Sequence, residues 1–411
     1  MALPLRHADR NLGSLVRAFT RNRLLPFAFG LSVALGLAEL LLRLFSTITP
    51  DGAVFLFGAP CLPLKVPVAQ VEAAIGRYEQ DQNMVIRYDA ALGWSPKPDS
   101  VSADGMYRYN AAGARIGESE PESSGHDGAV ALFGDSTMHG TGVHWRDSIG
   151  ARLQESWSGK KAVQNFALGA YGMDQALLRW RAVKEHARPS LVLFGFQAEN
   201  VKRNGSIFRS LYTYETVDIP FSKPRFVQAG ESLELVNSPT IPVAELASTL
   251  SQLGSSPLSK LDFFYQPSLY RDSPMYRSRL ASFLAGAFLV NNRYVVAERE
   301  RAVYAADGEL GSLALRIMRE FKKDVESSGA RFMVVHLPRK VAVTAVASGR
   351  PLPYEDLLAA VREEFEMIDP LPNLEEAARS RGVDALYVDP WHYSGAGAEV
   401  VSQAIIAKQP S

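Results

Sequence analysis

The stretch Ala129-Val-Ala-Leu-Phe-Gly-Asp-Ser-Thr-Met-His-Gly140 is an apolar strand pattern that ends in Gly134-Asp135-Ser136. A second motif, Tyr387-Val-Asp-Pro-Trp-His-Tyr-Ser-Gly-Ala-Gly397, lies more than 250 residues further along and contains Asp389-x-x-His392. Together the two motifs supply a serine, a carboxylate and an imidazole, the groups that an activated serine nucleophile requires. We therefore predict Ser136 as the nucleophile, His392 as the general base, and Asp389 as the carboxylate that orients His392.

Short apolar strands and amphipathic helices alternate after Ala129. The predicted strands are Ala129–Phe133, Ala162–Ala167, Leu191–Gln197, Arg331–Leu337 and Ala385–Val388. The predicted helices are Ser148–Trp157, Met173–His186, Leu313–Ser328, Tyr354–Glu364, Leu374–Arg381 and Gly397–Lys408. This pattern predicts an α/β fold with a parallel sheet covered on both faces. Sites in such sheets form beyond the carboxyl ends of the strands, where Ser136 and Asp389 are both expected.

Two regions lie outside this alternation. Residues 46–128 begin with a Pro- and Gly-rich linker and continue as short aromatic runs between turns, which predicts a β-rich lead-in to the α/β domain at 129–411. Residues 205–311 break the pattern and are interpreted as an insertion. Its apolar run Leu280–Val290 is too short to cross a bilayer, and we expect a buried helix there, with contact to a membrane surface or a lid role as the alternative.

The N-terminus predicts a membrane anchor. Five arginines against one acid, Asp9, make residues 1–23 basic, and an apolar stretch follows from Leu24 to Phe45. About 22 helical residues span roughly 33 Å, enough for a bilayer core. The basic flank predicts a cytoplasmic N-terminus and an outward-facing catalytic domain, periplasmic in a Gram-negative cell. A cleaved signal peptide and a buried helix are the alternatives. Glu39 and Arg43 are spaced to pair on one helix face.

Composition excludes some classes of protein. The 411 residues carry a formal net charge of zero, so no basic field indicates a nucleic-acid partner. The single cysteine, Cys61, cannot form an internal disulfide bond. We therefore expect neither a nucleic-acid-binding protein nor a disulfide-stapled one.

The chain resembles the SGNH hydrolases, also called GDSL esterases and lipases, over about residues 88–408. The matching stretches are Phe133–Gly140, Asn165–Gln175, Leu191–Asn204 and Asp389–His392. Two further segments resemble those of a membrane-anchored bacterial subgroup of this family. They are the Leu-Gly-Trp lead-in at Leu92–Trp94 and the Lys-Pro-Arg-Phe segment at Lys223–Phe226. The resemblance implies a flavodoxin-like three-layer α/β/α fold without a metal or other cofactor, and hydrolysis or transfer of acyl groups, often acetyl esters on sugars. It also assigns the triad Ser136, Asp389 and His392.

The resemblance implies an oxyanion hole that departs from the usual pattern. The family's second block places a glycine where this chain has Ala170, with Gly169 one residue earlier. A backbone N–H is what this position contributes, so alanine serves if its backbone angles permit. The third block, usually Gly-x-Asn-Asp, reads Gly195-Phe-Gln-Ala-Glu199-Asn200. Either Asn200 donates a side-chain N–H after a one-residue shift, or the Glu199 carboxylate occupies this position and repels an oxyanion. The predicted donors are therefore Ser136, Gly169 or Ala170, and Asn200.

Several other residues are candidates for the pocket around this site. Gln197, Arg203 and Trp391 are predicted to contact substrate, with packing as the alternative for the tryptophan, whose ring can stack on a sugar. Five basic residues follow the third block: Lys202, Arg203, Arg209, Lys223 and Arg225. They would either face an anionic substrate or be ordinary surface charge, and we favour surface charge. His139 is expected to form a pocket wall, and Asp135 to cap the turn after Ser136.

The expected function is hydrolysis of acyl esters, acetyl esters above all, on a cell-envelope or exported glycan. The expected partners are an acylated glycan or lipid-linked saccharide and, through the N-terminal helix, the inner membrane. An O-acetyltransferase that modifies an exported polysaccharide is the first alternative. A catalytically degenerate glycan-binding or scaffold protein is the second, because the third block departs from the family pattern.

Overall fold

The computed structural model describes residues 9–81, 84–118, 128–157, 161–212, 218–290 and 300–408, with side chains from residue 26 onward. The side chains of the predicted basic tail, 1–23, and most of the predicted loop between Gly117 and Gly128 lie outside these residues. The chain divides into two compact units. The first comprises Met1–Lys65 and Pro267–Val296, and the second comprises Val66–Gln266 and Ala297–Ser411.

Fourteen strands are numbered in chain order within the described residues. They are β1 (Ser46–Ile48), β2 (Val54–Leu56), β3 (Ala59–Pro60), β4 (Ile86–Asp89), β5 (Gly93–Pro96), β6 (Arg108–Tyr109), β7 (Arg115–Ile116), β8 (Val130–Phe133), β9 (Val163–Asn165), β10 (Leu191–Phe196), β11 (Arg225–Ala229), β12 (Ser232–Val236), β13 (Arg331–His336) and β14 (Met367–Ile368).

The α-helices with bounds in the described residues are numbered in the same way. They are α1 (Asp9–Phe45), α2 (Val68–Gln80), α3 (Ser136–His139), α4 (Ile149–Ser156), α5 (Met173–Ala187), α6 (Glu199–Asn204), α7 (Arg209–Tyr212), α8 (Val243–Ser251), α9 (Pro267–Tyr270), α10 (Arg279–Leu289), α11 (Glu309–Ser327), α12 (Lys340–Ala347), α13 (Glu355–Glu364), α14 (Leu371–Arg381) and α15 (Gly395–Lys408). Short 3₁₀ helices form at Trp145–Asp147, Leu253–Ser255, Pro257–Lys260, Pro274–Arg277 and Val383–Leu386.

The second unit is built around one mostly parallel sheet in the order β14-β13-β10-β8-β9-β7-β6. Its five parallel strands, ranked by chain position, lie in the order 5-4-3-1-2, which is the flavodoxin-like order read from the other edge. The predicted flavodoxin-like α/β fold is therefore confirmed. The lead-in strands β7 and β6 extend the sheet in antiparallel fashion beyond β9.

Helices cover both faces of this sheet because side chains of the apolar strands alternate in direction. On one face, Phe133 of β8 contacts Trp180 of α5 and Phe321 of α11. On the other face, Leu132 lies against Gly150 of α4. Helix α11 buries residues at intervals of three and four, from Leu310 and Leu313 to Ile317 and Phe321, which is the spacing of one helical face. These layers form the three-layer core.

One predicted strand is wrong. Residues 383–386 form a 3₁₀ helix instead of the predicted strand Ala385–Val388, and the fifth parallel strand is β14, which pairs with β13. With only two residues, β14 is too short to produce a period-two pattern. Asp389 therefore lies in a loop, which an isolated bridge between Tyr387 and Tyr393 closes.

The first unit contains the apolar helix and part of the predicted insertion. Pro26–Phe45 is long and apolar enough to cross a membrane, with a mean hydropathy of 1.8, and its large apolar side chains are exposed. Glu39 pairs with Arg43, as predicted, at 2.7 Å. The same carboxylate accepts hydrogen bonds from the Ser278 hydroxyl and from the N–H groups of Arg279 and Leu280 at 2.8 to 3.0 Å. Glu39 therefore caps the start of α10.

The prediction of a buried helix at Leu280–Val290 is wrong for most of its side chains. Within α10, Ser282 and Gly286 are buried, whereas Leu284 and Phe288 are 56% and 70% exposed. The backbone of Pro60 lies so close to Gly286 that a side chain at this position would not fit. The helix therefore packs through its small residues and presents an apolar face.

Gly134 lets the chain turn from β8 into α3. Its φ is +143°, and a Cβ atom there would lie 3.0 Å from the Gly195 carbonyl oxygen. Replacing Gly134 with alanine is expected to destabilise the fold by about 1–3 kcal/mol, because an L side chain is strained at this φ and crowds the neighbouring strand. Thermal unfolding checks this. Gly169→Ala is the control, since a Cβ there meets nothing within 4 Å; equal midpoints for the two variants would contradict the prediction.

Candidate active site

Ser136 lies where β8 gives way to α3, at the carboxyl edge of the sheet. The strand ends at Phe133, and Ser136 is the first residue of the short helix that follows. Its side chain is largely buried, with 9% of the residue exposed. Among the described residues, the Ser136 hydroxyl makes no hydrogen bond, so its proton is not committed to a structural contact.

Asp389 and His392 form a hydrogen-bonded pair. Asp389 Oδ2 lies 2.7 Å from His392 Nδ1, and Asp389 Oδ1 accepts from the N–H groups of Trp391 and His392 at 2.7 and 2.8 Å. Burial opposes ionisation, but the hydrogen bonds from His392 and from the two N–H groups hold the pKa of the Asp389 carboxyl below its usual value. Asp389 therefore stays charged and fixes the ring, which leaves Nε2 as the proton acceptor.

The loop with this pair is held at the same sheet edge as Ser136. The hydroxyls of Tyr387 and Tyr393 both donate to the carbonyl oxygen of Pro338, at 2.8 and 2.9 Å, just past the end of β13. Val388 packs against Gly142, in the turn after α3, so closely that a Cβ at Gly142 would lie 2.9 Å from its side chain. These contacts bring the two distant sequence motifs together.

No hydrogen bond joins Ser136 to His392 in the described part of the chain. In serine enzymes this contact often shortens only when the substrate is bound. His392 nevertheless contributes to lowering the pKa of His139, which lies three residues after Ser136, behind the larger effects of burial and Arg115. The imidazole of His392 therefore lies within electrostatic range of the helix that carries Ser136.

Gly169 and Ala170 follow β9 and lie beside the turn before Ser136. The Leu168 N–H donates to the Gly134 carbonyl oxygen at 3.2 Å, and the Trp94 indole donates to the Gly169 carbonyl oxygen at 3.0 Å. Ala170 has a φ of +63°, a left-handed angle that glycine would adopt without strain. Within the described residues, the N–H groups of Ser136, Gly169 and Ala170 donate to no other residue. Backbone N–H groups of this kind are what an oxyanion hole requires.

The structure contradicts the predicted oxyanion role of Asn200. Its Nδ2 donates to Asp135 Oδ2 at 3.2 Å and to the Tyr171 carbonyl oxygen at 3.1 Å, which uses both amide hydrogens. Its Oδ1 accepts from the Gln197 N–H at 2.8 Å. Glu199 lies 3.3 Å from Arg339. Asn200 is therefore a structural cross-link, because a neighbouring carboxylate competes for its donors.

Gln197, predicted to bind substrate, is also bonded within the protein. Its Nε2 donates to Thr137 Oγ1 at 2.5 Å, next to Ser136, and its buried Oε1 has no partner among the described atoms. Gln197 therefore uses one of its two amide hydrogens within the protein, and its Oε1 is an acceptor without a partner among the described atoms.

Arg203, predicted to bind substrate, forms a buried ion pair with Asp135, the residue before Ser136. Its Nη1 donates to Asp135 Oδ2 at 2.8 Å, and the Asp135 side chain is completely buried. Asp135 Oδ1 accepts from the Thr137 N–H at 2.9 Å, so Asp135 caps α3 as predicted. The basic group was expected on the surface, and this expectation is wrong: Arg203, Lys223 and Arg225 are buried, and Lys202 and Arg209 are half-buried.

Trp391 is 42% exposed and lies under the guanidinium group of Arg339, 3.9 Å from the ring centre. This stacking is a cation–π contact. Arg339, which is also the ion-pair partner of Glu199, was not predicted to belong to the site. Arg339 covers one face of the Trp391 ring, and the rest of the ring is exposed. This arrangement is compatible with both predicted roles of Trp391, stacking on a sugar and packing.

His139 lies in a buried network beneath the site. Its ring nitrogens contact the Tyr109 hydroxyl at 2.9 Å and Thr141 Oγ1 at 3.0 Å. Burial, with the nearby Arg115 charge, holds the pKa of His139 well below its usual value, so the ring is neutral. Arg115 donates to the carbonyl oxygens of His139, Gly140 and Val143 and so secures the turn after α3. The sequence carried no signal for this arginine, since its partners are backbone atoms. No group of three metal-binding side chains lies within the described residues.

Comparison with known proteins gives structural likenesses only. No protein-family model and no curated protein matches this sequence. A Bacillus subtilis protein aligns at 13% identity and a TM-score of 0.34, over 69% of this chain and 56% of its own length. An enzyme described as an alpha/beta hydrolase, from the metagenome of Lake Arreo in Spain, aligns at 10% identity and 0.35, over 68% and 94%. A member of the lipolytic G-D-S-L family from Veillonella parvula aligns at 9% identity and 0.31, over 68% and 96%.

Removing one partner of the Asp135–Arg203 pair is expected to be costly. Arg203→Met leaves a completely buried carboxylate without its cation, and we expect a loss of about 3–5 kcal/mol of folding free energy. Chemical denaturation measures this loss. Arg379→Met, which breaks an exposed pair with Glu375, is the control and should cost less than about 1 kcal/mol. Similar losses in the two variants would contradict a structural role for the buried pair.

Proposed function

We propose that this protein is a serine-dependent ester hydrolase of the SGNH type. The observation that carries the proposal is the hydrogen-bonded pair of Asp389 and His392, which leaves His392 Nε2 free at the sheet edge where Ser136 follows β8. The flavodoxin-like strand order supports it, because sites in such sheets form at the carboxyl ends of the strands. The matching of sequence blocks to the SGNH pattern supports it independently.

The chemistry begins with His392 Nε2 removing the proton from the Ser136 hydroxyl as Oγ attacks the ester carbonyl carbon. The N–H groups of Ser136 and of Gly169 or Ala170 stabilise the oxyanion. The ester C–O bond then breaks, and His392 gives its proton to the departing alcohol oxygen. Water attacks the acyl-serine in the second half, again with His392 as base, and releases the acid and the free Ser136 hydroxyl.

Asn200 is not an oxyanion donor in this proposal, so the backbone N–H groups alone stabilise the negative charge of the oxyanion. One missing donor corresponds to a rate lower by about 10²- to 10³-fold than in an enzyme with a complete set. A catalytically degenerate glycan-binding protein remains the second candidate, because the bonding of Asn200 favours it. The hydrogen-bonded pair of Asp389 and His392 favours catalysis.

The proposed substrate is an acyl ester, acetyl above all, on a cell-envelope or exported glycan. The exposed ring of Trp391, two residues after Asp389, supports a sugar, since aromatic faces stack on sugar rings. The proposed location supports an envelope substrate, because a tethered enzyme reaches what lies near the membrane.

We infer that the apolar helix is retained as a single-pass anchor in the inner membrane, with the N-terminus in the cytoplasm. The basic flank and the length of Pro26–Phe45 support this orientation. The contacts of Glu39 with α10 favour an anchor over a cleaved signal peptide, because cleavage after the apolar run would remove a cap from a helix of the mature protein.

Ester turnover is expected to depend on the triad. Ser136→Ala should lower kcat for 4-nitrophenyl acetate by about 10⁴-fold or more, because the nucleophile is lost. Asp389→Asn should lower kcat by up to about 10⁴-fold, because the ring orientation is lost. The thermal midpoint of Ser136→Ala should stay close to that of the parent, since the hydroxyl makes no hydrogen bond. Ser380→Ala, an exposed serine, is the control. Absence of turnover in the parent, with glycan binding that survives Ser136→Ala, would instead identify a binding protein.

The cap from Glu39 is expected to protect the start of α10. Glu39→Ala should cost about 1 kcal/mol locally, which corresponds to amide hydrogen exchange about fivefold faster at Arg279 and Leu280. Hydrogen–deuterium exchange with mass spectrometry measures this in the full chain, and Glu72→Ala, at an exposed position on α2, is the control. Intact mass of the membrane-extracted protein should also include residues 24–45. A mature chain that begins after Phe45 would rule out the anchor.

A further inference from the structure

A small cationic pocket lies beside Ala170. Three basic side chains line it, Arg203, Arg209 and Lys223, together with the hydroxyl-bearing Ser206 and Tyr212. It measures about 190 Å³ with its open mouth, and it is wide enough for about one water-sized group. A single anionic oxygen therefore fits inside, while the rest of its group occupies the mouth.

Positive charge dominates the lining of this pocket. No carboxylate lines it among the described residues. Two of the cations pair with buried carboxylates that are not part of the lining: Arg203 pairs with Asp135, and Lys223 with Asp174. Arg209 lies 3.8 Å from the largely exposed carboxylate of Asp218, and burial together with the neighbouring Arg203 charge lowers the pKa of Arg209 to about 10. The lining therefore offers a guest donors and positive charge, and no carboxylate among the described residues.

Two buried polar atoms in the lining, Ser206 Oγ and Arg203 Nε, have no hydrogen-bond partner among the described residues. Ser206 is 2% exposed, and its hydroxyl makes no hydrogen bond, while Nε of the buried Arg203 donates to nothing. Buried polar groups are nearly always satisfied in folded proteins, because an unmade hydrogen bond leaves their desolvation uncompensated. A hydroxyl and a guanidinium N–H that lack acceptors both favour an acceptor-rich guest, such as a carboxylate or a phosphate group.

Two residues of the lining also belong to the surroundings of Ser136. Ala170 lines it and also belongs to the segment that supplies the oxyanion N–H groups. Arg203 also lines the pocket, and its Nη1 donates a hydrogen bond to Asp135 Oδ2. Through Arg203 the pocket lies one hydrogen bond away from Asp135, the residue before Ser136.

We propose that this pocket binds an anionic group, a carboxylate or a phosphate, of the ester substrate. This inference rests on the proposed ester-hydrolase function. The enzyme then selects acylated molecules that carry a negative charge close to the ester. An acylated uronic acid offers a carboxylate, and an acylated sugar phosphate offers a phosphate; the same lining atoms bind either group.

The first experiment compares three acetate esters of one phenol, with a para carboxylate, phosphate or carboxamide group. The full chain should show kcat/KM at least about tenfold higher for one or both charged esters than for the carboxamide, and the better charged ester identifies the source of the anion. Arg209→Gln should reduce this preference by about tenfold, and the exposed Arg379→Gln should keep it. Equal kcat/KM for the three esters in the full chain would overturn the proposal.

The second experiment does not depend on turnover. Inorganic phosphate at constant ionic strength should raise the thermal midpoint of the parent and of Arg379→Gln, with a dissociation constant about tenfold weaker in Arg209→Gln. Ser206→Ala, a milder change, should weaken phosphate binding by about threefold. Phosphate binding that Arg209→Gln and Ser206→Ala leave unchanged, or no phosphate binding by the parent, would overturn the pocket. Phosphate binding lost in the variants, in a protein that hydrolyses no ester, would support the anion pocket and reject the ester-hydrolase function.

Discussion

The buried carboxylate of Asp135 is the interaction on which the site depends. One of its oxygens caps the helix that carries Ser136, and the other accepts from Arg203 and Asn200 of the helix after β10. Arg203 and Asn200 also donate to the carbonyl oxygen of Tyr171, in the segment after β9. Three strand ends are thereby tied to one anion. A buried charge is tolerated only when it is fully paired, so this arrangement is rigid once formed.

This constraint has a chemical consequence. Because Asp135 and Tyr171 use both hydrogens of Asn200, the third block contributes structure rather than a donor to the oxyanion. Backbone N–H groups remain, and the left-handed angle of Ala170 preserves a conformation that glycine would take more easily. In the proposed mechanism, Asn200 therefore fixes the segment around Ser136 instead of donating to the oxyanion. The cationic pocket beside Ala170 shares Arg203 with this hydrogen-bond network.

The first unit is held together by contacts between its apolar helix and α10. The apolar helix has exposed side chains, and the half-buried carboxylate of Glu39 holds the start of α10. Helix α10 packs through Ser282 and Gly286 and exposes Leu284 and Phe288. The apolar run Leu280–Val290 predicts a buried helix. In the structure its small residues pack against a neighbouring backbone, and its large side chains are therefore exposed.

The sequence by itself determined the parallel α/β fold, since its apolar strands and amphipathic helices carry strong periodicities, and the spacing that makes Asp389 and His392 partners, since three residues allow the side chain to fold back. It also determined that Asp135 caps the helix after β8. Local patterns failed at the predicted strand 385–388, where a 3₁₀ helix ends at Leu386, and at Met367–Ile368, which are too few for a period to appear.

Only the tertiary structure decided which polar groups satisfy one another. Asn200 and Arg203 look available in the sequence, yet Asp135, more than 60 residues away, engages both, and Arg115 binds backbone atoms that no pattern marks. The hydrogen-bond partner of a buried group is set by what folding brings near it, not by its neighbours along the chain. For that reason a sequence reveals which side chains are able to do chemistry, and the packing of the strand ends decides which of them remain free to do it.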